Sequence, residues 1–182
     1  VDSVFAQTMQ NFEIIIVDDG STDKATTQLL SNYHRPNTRV LVTENQGLAA
    51  ARNHAIRHAN GEYLCALDSD DKLHPTYFEH ATSRLDSDPA LTFVSSWVQM
   101  FGTSDALWKQ DTCDLPTLLS ECTVMTPALV RADAVRSVGG YDTQMPDQGD
   151  EDWDLWISLA ERGYRGTIIP EILFYYRRRP GS

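Results

Sequence analysis

The sequence predicts an α/β protein with a mostly parallel, Rossmann-like central sheet flanked by helices. Three observations carry that expectation. Short β-branched runs alternate with amphipathic stretches of helical period through the first half of the chain. The runs are apolar throughout rather than alternating, as strands buried on both faces require. Two of them stop at clustered acids, which places those acids at the carboxyl edge of the sheet, where open α/β sheets bind ligands.

The elements follow in order. Residues 1–9 read as the last turns of a helix with no cap and no leading strand, so the chain reads as an excised or N-terminally truncated piece. Residues 12–17 (Phe-Glu-Ile-Ile-Ile-Val) are a strand, and Asp18-Asp19-Gly20-Ser21-Thr22-Asp23 supplies turn and cap residues before a helix over 25–33. A second strand covers 39–43. The helix over 47–59 carries Leu48, Ala51, Ala55, Ile56 and Ala59 on one face and ends at Asn60-Gly61. A third strand, 62–67, runs into Asp68. Pro75 opens a helix with Phe78, Ala81 and Leu85 as its stripe. In the second half, 91–101 is a longer strand, 102–114 a loop, 115–121 a short helix and 125–130 a strand. Residues 132–138 form a helix closed by Gly139-Gly140. Residues 152–162 form one carrying Trp153, Trp156 and Leu159, and 166–176 is the final strand. No repeat or low-complexity linker divides the chain, so 1–182 is expected to be one domain.

Charge and cysteine usage narrow the function. Twenty-six Asp and Glu against 15 Lys and Arg leave a net charge of −11, which argues against a nucleic-acid surface. Cys65, Cys113 and Cys122 are odd in number and lack metal-ligand spacing, which favours a reducing compartment. No apolar run in this chain reaches the roughly 20 residues of a transmembrane helix.

Three acidic clusters carry the candidate chemistry. Asp18-Asp19 is either a turn with a helix cap or a carboxylate pair that accepts a ligand N–H, such as a nucleobase imide. Asp68-Ser69-Asp70-Asp71 follows a buried strand. Like charges held together call for a cation. A calcium loop would place an acidic or polar ligand where Lys72 stands and Gly where Leu73 stands, and a cation at the ligand position opposes it. A solvated acidic turn and a magnesium- or manganese-diphosphate site remain. Asp150-Glu151-Asp152-Trp153-Asp154 suits a helix macrodipole, and equally offers a general base beside two Trp rings. Arg52 and Arg177-Arg178-Arg179 are either solvated surface or diphosphate partners. The five histidines form no ligand set; His54 and His58 have zinc spacing but no third ligand.

These segments, in this order, resemble the inverting nucleotide-sugar glycosyltransferases of family 2, which have the GT-A fold. The matching pieces are Ser3-Val4-Phe5-Ala6-Gln7-Thr8, residues 12–23, Asn45-Gln46-Gly47-Leu48 with Ala51-Arg52-Asn53, and Ala59-Asn60-Gly61-Glu62-Tyr63. Then come Leu67-Asp68-Ser69-Asp70-Asp71, Val138-Gly139-Gly140-Tyr141-Asp142, Glu151-Asp152-Trp153-Asp154-Leu155-Trp156, and Tyr176-Arg177 through Gly181-Ser182. The resemblance implies a nucleotide-binding half, 1–90, and an acceptor-binding half, 91–182. It implies that Asp18 and Asp19 contact the nucleobase of the donor and that Arg52 lies near the base or diphosphate. Asp68 would face ribose and metal, and Asp70 would hold the Mn2+ or Mg2+ that bridges the diphosphate, with Asp71 in the same shell. Asp152 would be the catalytic base and Glu151 its neighbour shaping the acceptor site. Arg177, Arg178 and Arg179 would belong to a flexible loop that closes over the donor.

The expected activity is transfer of a sugar from a nucleotide sugar, a UDP-sugar foremost, to a hydroxyl of a glycan or lipid-linked glycan acceptor, with inversion. The setting is bacterial cell-wall, capsule or antigen assembly in the cytoplasm, either free or seated peripherally on the membrane's cytoplasmic face. Two departures bear on this. Family members normally begin with a strand ending in Pro-x-Tyr-Asn, and its absence here leaves a gap in the sheet. The Gln-x-x-Arg-Trp motif of processive synthases is also missing, which favours one sugar per encounter. The alternative is a non-catalytic nucleotide- or glycan-binding module on the same fold. A sugar-phosphate nucleotidylyltransferase would need a Gly-rich basic phosphate loop, and none is visible.

Overall fold

The computed structural model describes residues 1–145 and 149–180. The elements run α1 (Asp2–Phe5), β1 (Ile14–Asp19), α2 (Lys24–Ser31), β2 (Thr38–Thr43), α3 (Leu48–His58), β3 (Tyr63–Leu64), β4 (Lys72–Leu73) and α4 (Tyr77–Ser87). They continue as β5 (Leu91–Gly102), β6 (Leu107–Trp108), α5 (Leu115–Leu118), β7 (Leu129–Arg131), α6 (Ala132–Val138), α7 (Glu151–Glu161) and β8 (Arg165–Arg178). Helix starts follow the cap residues: Asp23 and Asp114 accept the backbone N–H three residues on, Thr26 and Thr117, at α2 and α5. Gly139 closes α6 in the left-handed region, φ 96°.

The α/β expectation holds, but the pairing is mixed rather than mostly parallel. Two sheets form. β1 and β2 pair in parallel as a two-stranded ribbon. The second sheet has the order β3-β7-β5-β8-β4, with β6 folded back on β5. Within it only β5 and β8 are parallel; the other pairings are antiparallel. Hairpin β6 and the short strand β4 arise where the sequence reads as loop, because Leu107–Trp108 and Lys72–Leu73 find open edges on β5 and β8.

β5 is the spine. Leu91 to Ser96 are all buried. Phe93 enters one core with Trp156, Leu155 and Leu159 of α7, while Val94 and Val98 enter the other with Tyr77, Ala81 and Leu85 of α4. Successive residues of a strand point to opposite faces, so one strand serves both cores. Gly166 lies opposite Phe93 in the register. A Cβ there would come within 2.0 Å of the Phe93 ring, so the aromatic takes the space a side chain would occupy.

The expected gap is present. Among the described residues β1 pairs only with β2, and β3 only with β7. A cavity of about 1600 Å3 lies between them, lined by Ile14–Val17 on one side and residues 63–67 on the other. Ile14, Ile15, Ile16 and Val17 are accordingly only half-buried, although the run reads as a fully buried strand. The third strand also stops at Leu64 instead of 67, since β7 offers it a ladder of only two residues.

Tyr77 locks the loop that leads into β7. Its hydroxyl donates to the Pro127 carbonyl at 2.6 Å and accepts the Leu129 N–H at 2.9 Å, wholly out of water. Tyr77→Phe keeps the ring but takes the hydroxyl from the Leu129 N–H and leaves the Pro127 carbonyl with the weaker Cys65 thiol donor. It is expected to cost about 1–3 kcal/mol, read as a lower urea midpoint with an unchanged slope. A loss under about 0.5 kcal/mol, the level of an indifferent surface change, would show that the lock is dispensable.

Candidate active site

The acidic clusters occupy the end of β1, the turn between β3 and β4, and the first turn of α7. Each is shaped by local backbone needs first. β1 runs through both of its acids rather than stopping before them. Asp18 is buried and its Oδ1 accepts the Ser21 N–H at 2.9 Å. Asp19 accepts the N–H groups of Gln46 and Gly47, the latter at 2.8 Å, and the Thr43 hydroxyl. It thereby holds the entry to α3, whose first N–H groups lack helical partners. Gly20, at φ 74°, passes so close to Asn45 that a Cβ would sit 2.7 Å from its backbone nitrogen.

α3 delivers Arg52 to the centre. Its Nη2 donates to Asp68 Oδ1 at 2.8 Å and its Nη1 to Glu151 Oε1 at 2.6 Å. The arginine side chain is 9% exposed, Glu151's 5% and Asp68's 35%. Arg52 also lies 5.3 Å from the centre of the Tyr141 ring. Next to it, Asn53 grips Tyr141 from both sides: its Nδ2 donates to the Tyr141 carbonyl and its Oδ1 accepts the Tyr141 N–H. One turn of α3 therefore ties together the acidic turn, the Gly139-Gly140-Tyr141 loop and the start of α7.

The turn after β3 carries Asp68, Asp70 and Asp71. Asp71 is buried and accepts the Arg177 N–H at 2.7 Å. Burial pushes its carboxyl up to about 6, with the nearby charges of Asp68 and Asp70 adding to the effect and the Arg177 N–H opposing it. Asp70 Oδ2 pairs with Arg179 Nη2 at 2.7 Å, and Arg177 Nε donates to the Asp70 carbonyl. The Arg177 guanidinium stacks 4.4 Å from the Phe101 ring centre. Arg177 and Arg178 are thus strand residues, not loop residues as the resemblance implies. The cause is the length of β5, which reaches Gly102 and pairs Phe101 with Arg177 and Gly102 with Arg178. Gly181 and Ser182, which close the motif series, lie outside the described residues.

Asp152 sits in the first turn of α7. Its Oδ2 accepts the Thr126 hydroxyl at 2.6 Å and its Oδ1 the Trp153 N–H at 2.8 Å. Burial pushes its carboxyl above the ordinary range, against the Thr126 hydrogen bond and the Arg52 charge. Glu151 turns inward, spending one oxygen on Arg52 and the other on the Gly149 N–H. The two Trp rings are structural: Trp153 Nε1 donates to the Leu118 carbonyl, and Trp156 packs on Phe93 at 5.2 Å between ring centres.

Asp68, Asp70, Arg52, Arg177, Arg179 and Thr126 all line the cavity beside β1, and Asp152 joins that group through Thr126. Asp18 and Asp19 stand outside it, at the end of the β1 wall. Among the described residues no set of three or more His, Cys, Asp and Glu side chains could hold a metal. Sequence reasoning passed over Gln7, Asn53 and Thr126. Gln7 is buried; its side chain donates to the His74 carbonyl and accepts the Phe78 N–H, which fastens α1 to the start of α4. Its place in a matching motif was the only signal available.

Comparison with known proteins decides the family. The model "Glycosyl transferase family 2" matches residues 1–135. The chain belongs to glycosyl transferase family 2. This family member is 29% identical over 188 residues to EpsE of Bacillus subtilis (strain 168), which carries a glycosyltransferase name; the match covers 97% of this chain and 66% of EpsE. It is 26% identical over 187 residues to the Escherichia coli protein WfaP, named as a UDP-Glc:alpha-D-GlcNAc-diphosphoundecaprenol beta-1,3-glucosyltransferase. That match covers 100% of this chain and 72% of WfaP. In structure it is similar to S. aureus TarS 1–349 solved with UDP-GlcNAc, with a TM-score of 0.80 at 18% identity, over 100% of this chain and 54% of TarS. The fold is therefore of the GT-A type. It spans about two thirds of EpsE and about half of the TarS chain. No helix among the described residues is long and apolar enough to cross a membrane.

The Arg52 node makes a stability prediction. Arg52→Met leaves Glu151 as a buried, uncompensated charge and is expected to cost about 3–5 kcal/mol. Arg52→Met with Glu151→Gln removes that charge and should recover part of the loss. Urea unfolding of the two variants checks this; a double variant no more stable than the single would assign the loss to packing instead.

Proposed function

We propose that the protein transfers a sugar from a nucleotide sugar, a UDP-sugar foremost, to a hydroxyl of a glycan or lipid-linked glycan, inverting the anomeric carbon and adding one residue per encounter. The observation that carries the proposal is the buried guanidinium of Arg52, which bonds Asp68 of the donor half and Glu151 of the acceptor half. It ties the acidic turn that lines the cavity to the first turn of α7, which carries the candidate base. UDP as the nucleotide draws support from the WfaP name and from the UDP and UDP-GlcNAc complexes of TarS.

The residues fit a divalent cation. Asp68 and Asp70 are two partly exposed, all-oxygen donors that already attract cationic groups, Arg52 and Arg179. Magnesium and manganese take one or two carboxylates and fill the rest of their shell with phosphate and water. The cation, Mn2+ or Mg2+ held by Asp68 and Asp70, would offset the negative charge that grows on the departing diphosphate. Arg177 and Arg179, beside Asp70, would add positive charge to the same oxygens. Asp18 and Asp19, at the end of β1, would meet the nucleobase. Asp152 takes the proton of the acceptor hydroxyl as that oxygen bonds to the anomeric carbon and the bond to the diphosphate oxygen breaks. A single displacement with one base and no enzymic nucleophile inverts the centre. Glu151, spent on Arg52, keeps Asp152 in place from the next position along α7. The working location would be the cytoplasm or the cytoplasmic face of a membrane.

The open cavity next to β1 favours one second reading, a nucleotide-binding module without turnover. Calorimetry with UDP and Mn2+, paired with release of UDP from UDP-glucose and UDP-GlcNAc, separates the two. Binding without release in the wild type selects the module.

Asp152→Asn is expected to lower turnover about 10²–10⁴-fold while leaving UDP affinity unchanged. Undiminished turnover removes Asp152 from the role of base. Asp70→Ala is expected to weaken UDP binding in the presence of Mn2+ and to leave metal-free binding as it was. Equal loss with and without the metal would argue that Asp70 serves the fold.

A further inference from the structure

We propose that Thr126 is the positioning residue of the base: its hydroxyl fixes the plane of the Asp152 carboxylate and donates to its charged form. The inference rests on the transferase reading above only for the word base; the contact itself does not.

The geometry is specific. Thr126 Oγ1 donates to Asp152 Oδ2 at 2.6 Å, across 26 residues of chain. The donor is held rigidly. Thr126 sits in a turn closed by the Ala128 N–H on the Met125 carbonyl. Its neighbour Pro127 is anchored through its carbonyl by the Tyr77 hydroxyl and the Cys65 thiol. A β-branched side chain has few χ1 states to lose, so the hydroxyl arrives at little entropic cost. The second carboxylate oxygen accepts the Trp153 N–H. Two donors from two elements leave the carboxylate no rotation, while each oxygen keeps a lone pair for an incoming proton.

The charge balance explains why such a donor is needed. Burial pushes Asp152 toward its neutral form, and a neutral carboxyl cannot act as a base. The titratable and charged groups that face it are Arg52 from α3, Glu151 from its own helix, Cys122 from the loop after α5 and Tyr141 from the loop after α6. Among them only Arg52 is positive, and its guanidinium is bonded to Asp68 and Glu151 rather than to Asp152. The Thr126 hydroxyl is therefore the foremost group that favours the charged form, ahead of the Arg52 charge and the Trp153 N–H, and it is the side-chain donor bonded to the carboxylate.

The sign follows. Losing a donor to the ionised form raises the carboxyl's pKa, so the acid limb of the rate profile must move to higher pH. Thr126→Val removes the hydroxyl at constant shape, and Thr126→Ser restores it. The test uses the 182-residue chain with 13C-carboxyl-labelled Asp, the Asp152 signal being assigned by its absence in Asp152→Asn. In Thr126→Val the Asp152 titration is expected to rise by about one pH unit, the scale of one hydrogen bond to a charged group. Thr126→Ser should return it to the wild-type position. The acid limb of kcat/KM for UDP release from UDP-GlcNAc with Mn2+ should move by the same amount. If Thr126→Val does not give a dispersed amide spectrum, Thr126→Ala takes its place. A titration that moves while no variant, wild type included, releases UDP sustains the Thr126–Asp152 coupling and overturns the transferase reading instead. An Asp152 titration unmoved by loss of the hydroxyl overturns the proposal, whatever the activity.

Discussion

The buried guanidinium of Arg52 is the constraint on which the site depends. It is the cation shared by Asp68 and Glu151, residues separated by nearly half the length of the chain. Removing two carboxylates from water is costly unless a well-placed cation meets both, and a guanidinium can offer each one a separate N–H edge. The pair of contacts sets how the acidic turn after β3 stands relative to the start of α7. Asn53, on the same turn of α3, fixes the Tyr141 backbone that leads toward α7. The acidic turn after β3 and the first turn of α7 thus share one foundation, and α3 supplies it.

Around that node the sheet does two jobs. β5 divides its side chains between two cores and, by its length, carries β8 out to Arg178. That extension places Arg177 and Arg179 against Asp70, so the basic end of the chain neutralises acids that would otherwise repel one another. On the other side, β1 and β3 face each other across a cavity and are only partly shielded. The apolar run 14–17 keeps the composition of a fully buried strand although it pairs on one edge alone. The best-buried part of the molecule is therefore the sheet around β5 with α4 and α7, and the less covered part is the ribbon of β1 and β2.

Much of the fold was legible because it rests on local rules. The strand over 12–17, the helices over 25–33, 47–59 and 132–138 and the spine over 91–101 all appear within a few residues of their expected bounds. What failed was pairing. Parallel and antiparallel strands of similar composition look alike, and the mixed second sheet follows from where Lys72–Leu73, Leu107–Trp108 and Leu129–Arg131 find free edges. The acidic residues were legible as clusters. Their partners were not, since Arg52, Thr126 and Arg179 reach them across long stretches of sequence. Asp19 and Glu151 show the limit plainly: each was marked by residue type, while the contact each carboxylate makes with the frame, at the α3 entry and on Arg52, exists only in the fold.

Residue type, order and local period were enough to specify the elements, the family and the acidic clusters, because caps, buried strands and motif spacing are properties of neighbours along the chain. Which carboxylate meets a guanidinium, which meets a hydroxyl and which stays half open to a cavity are properties of neighbours in space. Those contacts form when desolvation forces each buried charge to find a partner, and the partner it finds depends on how the strands have paired.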